Sequence, residues 1–231
     1  MDSVSPDFML NLPSSLTSLN LAYSGITGNF PASYIFSLPN LQILNLRGSL
    51  PEFKNGLPKL SYLDFSSCFL NGTIPPWIFG LPSLQFLYLQ NNHLSGNISE
   101  APSKSLQSID LGGNSLSGSI PRSFYDLQKM TDLRLSSNTL NGVVEIDLLF
   151  SKLRSLELLD LSGNNFSLII NNSVNFALPT LSTLSLSSCN IKEFPHVLKA
   201  FVNIQILDLS HNKIHGEVPQ CYILKIQNGG S

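Results

Sequence analysis

The stretch LQFLYLQNNHLSGNIS, residues 84–99, decides the fold. Leu87 and Leu89 stand two apart, so in an extended strand both point to one face while Phe86, Tyr88 and Gln90 point to the other. Three residues after Leu89 comes Asn92, followed by the apolar Leu94, then Gly96 and the apolar Ile98. The same string returns as LTSLNLAYSGITGNFP (16–31), LSYLDFSSCFLNGTIP (60–75), LQSIDLGGNSLSGSIP (106–121), MTDLRLSSNTLNGVVE (130–145), LELLDLSGNNFS (156–167) and IQILDLSHNKIHGEVP (204–219). With the first positions at Leu16, Leu41, Leu60, Leu84, Leu106, Met130, Leu156, Leu181 and Ile204, the successive spacings are 25, 19, 24, 22, 24, 26, 25 and 23. A period near 24 means one coil of chain per repeat.

Each coil contributes one short strand, and successive strands lie parallel because every connection returns the same way. A single coil buries about six apolar side chains worth about 1.5–3 kcal/mol each, whereas ordering its residues costs about 1–2 kcal/mol apiece, so only stacking makes the array stable. The expected architecture is an α/β right-handed solenoid with a parallel β-sheet on its concave face. Loops and short 3-10 or helical turns are expected on its convex face. Residues 1–231 read as one domain of about nine repeats over 16–219, with 220–231 as a degenerate tail. The second repeat is short: LQILNL runs straight into RGSLPEF (Arg47 to Phe53), so Gly48 and Pro51 align with Gly72 and Pro75 only if five residues are missing. That unit is expected to be weak.

The asparagine after each strand is an amide with both donors and acceptors, able to satisfy backbone groups where the chain leaves the sheet. Asn92, Asn114, Asn138, Asn164 and Asn212 hold this slot, Cys68 and Cys189 occupy it in two other coils, and Ser24 does so in the first. Both cysteines therefore read as structural thiols.

Composition narrows the function. The chain is 42% hydrophobic and 12% charged, enough apolar material for a substantial core. A net charge of −2 and the absence of any Lys/Arg run leave no electrostatic footprint for nucleic acid or an anionic membrane. The N-terminal MDSVSPDFMLNLPSSL lacks the basic and apolar regions of a secretory signal, and no stretch reaches the length of a membrane span, so no direct membrane insertion by this segment is expected. Three widely spaced cysteines, Cys68, Cys189 and Cys221, suggest neither a disulfide framework nor a zinc site.

No catalytic constellation emerges. His211 and His215 lie four apart but in a strand exit and a loop, not on a helix that would aim both at zinc. Asp64, Asp110, Asp160 and Asp208 recur at one strand position as the acidic residue of an L-D-L repeat. No Ser has a matching His, and no glycine-rich phosphate loop joins a strand to a helix. No enzyme, metal or cofactor is expected.

The repeat L-x-x-L-x-L-x-x-N-x-L-x-G-x-I-P resembles the plant-type leucine-rich repeat of receptor-like proteins and receptor kinases. RGSLPEF, LSYLDFSSCFLNGTIPPWIFGLPSLQFLYLQNN and LDLSHNKIHGEVP are most similar to receptor-like proteins of the Cf and Verticillium-resistance type, which are plant immune receptors. The resemblance implies repeats on the outer side of the plasma membrane, a protein or peptide ligand and a co-receptor kinase. The chain then reads as an internal ectodomain segment. A soluble extracellular inhibitor of a microbial wall-degrading enzyme and a truncated gene remnant are the alternatives.

On the receptor and inhibitor readings the outward residues of the sheet are the candidate contact surface. Tyr62, Asp64, Phe86, Tyr88, Gln90, Asn91, Asp110, Asp132 and Arg134 stand out in the central repeats against flanking serines and glycines. Aromatic and arginine side chains are enriched at binding hot spots, although exposed aromatics also stack simply with cross-strand neighbours. N-x-S/T sequons occur at Asn71, Asn97, Asn165 and Asn171, each expected in or near a loop. With 22 Asn and 42 Ser plus Thr in 231 residues, about four would arise by chance, so their number carries no weight.

Overall fold

The computed structural model describes residues 12–20, 35, 37–45, 56–169, 180–195, 198 and 201–216. Each repeat supplies a three-residue strand: β1 Ser18–Asn20, β2 Ile43–Asn45, β3 Tyr62–Asp64, β5 Phe86–Tyr88, β7 Ser108–Asp110, β9 Asp132–Arg134, β11 Leu158–Asp160, β13 Thr183–Ser185 and β14 Ile206–Asp208. They form one parallel sheet in chain order. Its register is uniform: Leu19, Leu44, Leu63, Leu87, Ile109, Leu133, Leu159, Leu184 and Leu207 are successive partners. All but Leu207 are buried, as the period-two reading of L-x-L requires. The short second repeat does not interrupt the sheet, because β2 pairs in register on both sides. Its shortened turn, with Gly48 and Pro51, lies outside the described residues.

A second parallel sheet departs from the sequence expectation. β4 Asn71–Thr73, β6 His93–Asn97, β8 Ser115–Gly118, β10 Thr139–Glu145 and β12 Asn165–Ile169 follow the ladder position and pair in the order β12-β10-β8-β6-β4, where loops were expected. Its strands are rich in Asn, Ser and Gly, residues of low strand propensity, so the sequence hid them. Glycine is required here by contact. Gly118 has φ +77°, and a Cβ on it would stand 2.7 Å from the Asn97 Oδ1 of the adjacent strand.

Among the described residues the outer segments form the expected short turns, with 3-10 stretches at Pro76–Gly80 and Arg122–Asp126 and an α-helix, α1, at Ile146–Lys152. They seat aromatic rings against one another between coils: Phe79 lies 5.8 Å from Phe124, and Phe150 lies 5.1 Å from Phe201, edge to face. All four rings are buried.

The asparagine ladder stitches coil to coil. Asn92 Nδ2 donates to the carbonyls of Leu89 (2.9 Å), Gln90 (3.2 Å) and, one coil back, Phe65 (2.8 Å). Its Oδ1 accepts from the amides of Cys68 and Leu70, both at 2.9 Å. Asn114, Asn138 and Asn164 repeat the donor pattern and take one amide each, from Leu94, Leu116 and Leu140. Asn212 takes two, from Cys189 and Ile191. At the thiol coils Cys68 Sγ points to the Ser66 carbonyl at 3.2 Å, and Cys189 Sγ lies 3.5 Å from the carbonyls of Leu161 and Ser187. Burial first, and the charge of Asp160 second, push the Cys189 thiol up to about 12, where it is inert as a nucleophile. Ser24 and Cys221 lie outside the described residues.

The residue ahead of each ladder position turns the chain through the left-handed region: Ser67, Asn91, Gly113, Ser137, Gly163, Ser188 and His211 have φ between 52° and 64°. Among the described residues only the thiol coils add a second such residue just after the ladder, Phe69 and Asn190, both at φ 56°. The shared string SSC followed by a left-handed residue thus marks a distinct turn.

Candidate concave recognition surface

The outward side chains form columns fixed by the sheet register. In one column Tyr62, Phe86, Ser108 and Asp132 are successive partners; in the next Asp64, Tyr88, Asp110, Arg134 and Asp160 are. The Tyr62 ring packs 6.1 Å from Phe86 across the strand and 5.4 Å from Tyr88 on the diagonal. All three rings are half-buried and form one apolar platform over β3 and β5. Burial, reinforced by the Asp64 and Tyr88 charges, raises the Tyr62 phenol above its ordinary value, and its hydroxyl donates to Asp64 Oδ2 at 3.4 Å.

The carboxylates are less free than their sequence positions suggested. Asp64, Asp110, Asp160 and Asp208 each accept, through Oδ1, the amide two residues on, at Ser66 (2.9 Å), Gly112 (3.0 Å), Ser162 (3.0 Å) and Ser210 (2.9 Å). This local bond closes the strand exit, which is the physical reason L-D-L-S recurs. Along the column the four acids are separated by Tyr88, Arg134 and Ser185, so no two of them are strand partners. Asp110 is held above the usual carboxylate range by desolvation, which outweighs the Gly112 amide and the Arg134 charge.

Asp132 and Arg134 pair with each other, Arg134 Nη2 lying 3.4 Å from Asp132 Oδ1, and Thr131 Oγ1 donates to Asp132 Oδ2 at 2.8 Å. Gln90 is half-buried with its Oε1 covered and without a hydrogen-bond partner. Asn91 is not a strand residue facing the hollow: it is the left-handed residue of the ladder turn, exposed at the rim. The structure therefore brings Tyr62, Asp64, Phe86, Tyr88 and Asp110 onto one surface with the Asp132–Arg134 pair beside them.

The sequons require a correction. Asn71, Asn97 and Asn165 sit on strands β4, β6 and β12 of the second sheet, not in loops, and all three are exposed. Asn171 lies outside the described residues. Sequence reasoning also missed the rim pair Phe69 and His93, whose rings lie 6.3 Å apart, with Phe69 67% exposed. The signal was there in SSCF, an aromatic residue directly after a ladder thiol. Among the described residues no three His, Cys, Asp or Glu side chains gather as a metal site, and no helix is long and apolar enough to cross a membrane.

One main-sheet strand per coil, an amide ladder with thiols at Cys68 and Cys189, and a stacked aromatic and aliphatic core define a leucine-rich-repeat solenoid. Residues 51–94 match a leucine rich repeat family model, and 105–127, 155–176 and 203–222 match a second. Receptor-like protein 18 of Arabidopsis thaliana is 36% identical over 143 residues, 55% of this chain and 17% of that protein. By sequence the chain is similar to the plant leucine-rich-repeat receptor-like proteins. It spans less than a fifth of the length of the curated relatives it matches. Two solved structures share the fold at 28% identity over 93% of this chain. One is the Arabidopsis receptor kinase HAESA with the peptide hormone IDA and the co-receptor SERK1 (TM-score 0.70, 42% of that chain), the other the plant peptide hormone receptor RGFR1 with RGF2 (TM-score 0.67, 44% of that chain).

Proposed function

We propose that the chain is a protein- or peptide-binding segment of an extracellular receptor ectodomain and that it binds through the central concave face without catalysis. The observation that carries the reading is the platform of Tyr62, Phe86 and Tyr88, three half-buried rings side by side on the open face of the sheet. Such rings offer a partner large contact area at low conformational cost, and the neighbouring Asp110 and Arg134 give it orientation. The likeness to ectodomains solved with peptide hormones supports this reading, and the complex that also contains SERK1 supports a co-receptor kinase as second partner. Defence signalling at the plasma membrane is the role we assign, with the sequons at Asn71, Asn97, Asn165 and Asn171 open to glycan.

The test uses peptides selected from a random displayed library against the wild-type chain. Their affinity is expected to fall about thirtyfold for Tyr88→Ala or Arg134→Ala, a loss of about 2 kcal/mol. Unchanged affinity in both folded variants would remove the central concave face as the recognition surface.

A further inference from the structure

We propose that Asn71 carries an N-linked glycan whose innermost sugar rests on the exposed ring of Phe69. The inference rests on the extracellular reading above, because the sugar is added in the secretory pathway. It begins from a backbone anomaly. Phe69 adopts φ 56° and is 67% exposed, so it combines a conformation that aromatic residues rarely take with a ring that contributes little to the core. Its counterpart in the other thiol coil is Asn190, at the same φ of 56°, and Asn suits that region. The turn itself therefore does not ask for an aromatic residue. A strained, exposed Phe kept where Asn serves the fold points to a role outside the fold.

What stands next to Phe69 supplies the role. Two residues on, Asn71-Gly72-Thr73 is a sequon, and it is the only one of the four with Thr rather than Ser at its third position. These three residues make up β4, the end strand of the second sheet among the described residues, and all three are exposed. Space for a Cβ on Gly72 is empty to 4 Å, so the strand is open to solvent and to a modifying enzyme. His93 is the register partner of Asn71 and also the ring neighbour of Phe69, which places Phe69 and Asn71 around one point.

The other described sequons lack these features. Asn97 accepts a hydrogen bond from Ser117 Oγ at 3.3 Å and lies against Gly118, and the residue two before it is Ser95. Asn165 is preceded at that position by Gly163.

The chemistry is group transfer from a lipid-diphosphate-linked oligosaccharide. Asn71 Nδ2 forms a bond to the anomeric carbon of the first N-acetylglucosamine, the bond from that carbon to the diphosphate oxygen breaks, and one amide proton leaves with the lipid diphosphate. The axial C–H edge of the sugar then meets the electron-rich face of the Phe69 ring and covers apolar area that is otherwise wet. On this account the glycan compensates the exposure of Phe69.

The experiment sends the whole chain through the secretory pathway behind a heterologous leader, reads occupancy at each sequon by glycopeptide mass spectrometry, and compares thermal unfolding before and after enzymatic removal of sugar. Asn71 is expected to be occupied, and removal of glycan is expected to lower Tm by about 2–4 °C in the wild type. That drop should vanish in Phe69→Ala and in Asn71→Gln and persist in Phe69→Tyr. Phe69→Ala without sugar should unfold no earlier than the wild type without sugar. A bare Asn71 beside occupied Asn97 or Asn165, or an equal drop in Phe69→Ala, overturns the sugar platform alone. Protein from its native tissue bare at every sequon overturns the extracellular reading with it.

Discussion

Replacing Asn92 by Ala removes the acceptor for two buried amides, Cys68 N and Leu70 N, and the donor that bridges Phe65 and Leu89. A buried amide left without a partner costs about 1–3 kcal/mol, so the two together set a loss of about 2–6 kcal/mol. Asn114 is the internal comparison. It makes the same three donor contacts but accepts a single amide, that of Leu94 at 3.0 Å, so Asn114→Ala should cost about half as much. The difference arises because Cys68 N bonds to the ladder amide of the next coil, whereas Asn92 N bonds to the Gly113 carbonyl at 3.2 Å. Urea unfolding of both variants gives the losses, and hydrogen exchange locates them, since a stacked array can open locally. Exchange should accelerate at Cys68 and Leu70 in Asn92→Ala and at Leu94 in Asn114→Ala. Equal losses in the two variants, or a cost below about 1 kcal/mol for Asn92→Ala, would refute the ladder account.

Leu89→Ala should cost about 2–5 kcal/mol through a cavity in the fully buried core, whereas Tyr88→Ala, half-buried beside Tyr62, should cost about 0.5–1.5 kcal/mol; chemical denaturation separates them. With its pKa raised from 9.0 to about 12, native Cys189 should exchange with a disulfide reagent at pH 8 about a thousandfold more slowly than in the unfolded chain. The folded state keeps that thiol neutral, so its contribution is present below about pH 9 and is lost as pH rises towards 12; a stability profile that is flat across this window in the wild type would contradict the assignment. Gly118→Ala meets both a φ of +77° and an atom at 2.7 Å, while Gly72→Ala meets a φ of +80° in open space, so the first should lower Tm clearly more than the second.

The main sheet was legible because L-x-L states its period twice over in every coil, and Leu87 with Leu89 or Leu133 with Leu135 point inward as that period demands. The ladder was legible because a buried amide at fixed spacing has few other uses. The second sheet was not, since strings such as HLSGN and NGT are dominated by Asn, Gly and Ser with Thr73 their single β-branched residue, and their pairing is imposed by stacking rather than by propensity. That omission also put Asn71, Asn97 and Asn165 in loops. Within the candidate surface, the sequence placed Tyr62, Phe86 and Tyr88 on one face, but it could not tell that Asp64 and Asp110 are tied to main-chain amides, because that bond depends on the local turn at the strand exit.

Those ties bear on where specificity can reside. An Asp that closes its own strand exit through Oδ1 is constrained by the fold, and its recurrence at Asp64, Asp110, Asp160 and Asp208 follows from that need whatever the partner is. Tyr88 and Arg134 occupy the same column between those acids and make no such bond to the residue two on. Their coils close the strand exit without it, so the fold does not dictate their identity. Positions released from structural duty are the ones free to diverge towards a ligand. In this column Tyr88 on β5 and Arg134 on β9 are two such positions, which is why the proposed recognition surface is tested there, with the stacked coils on either side setting their spacing.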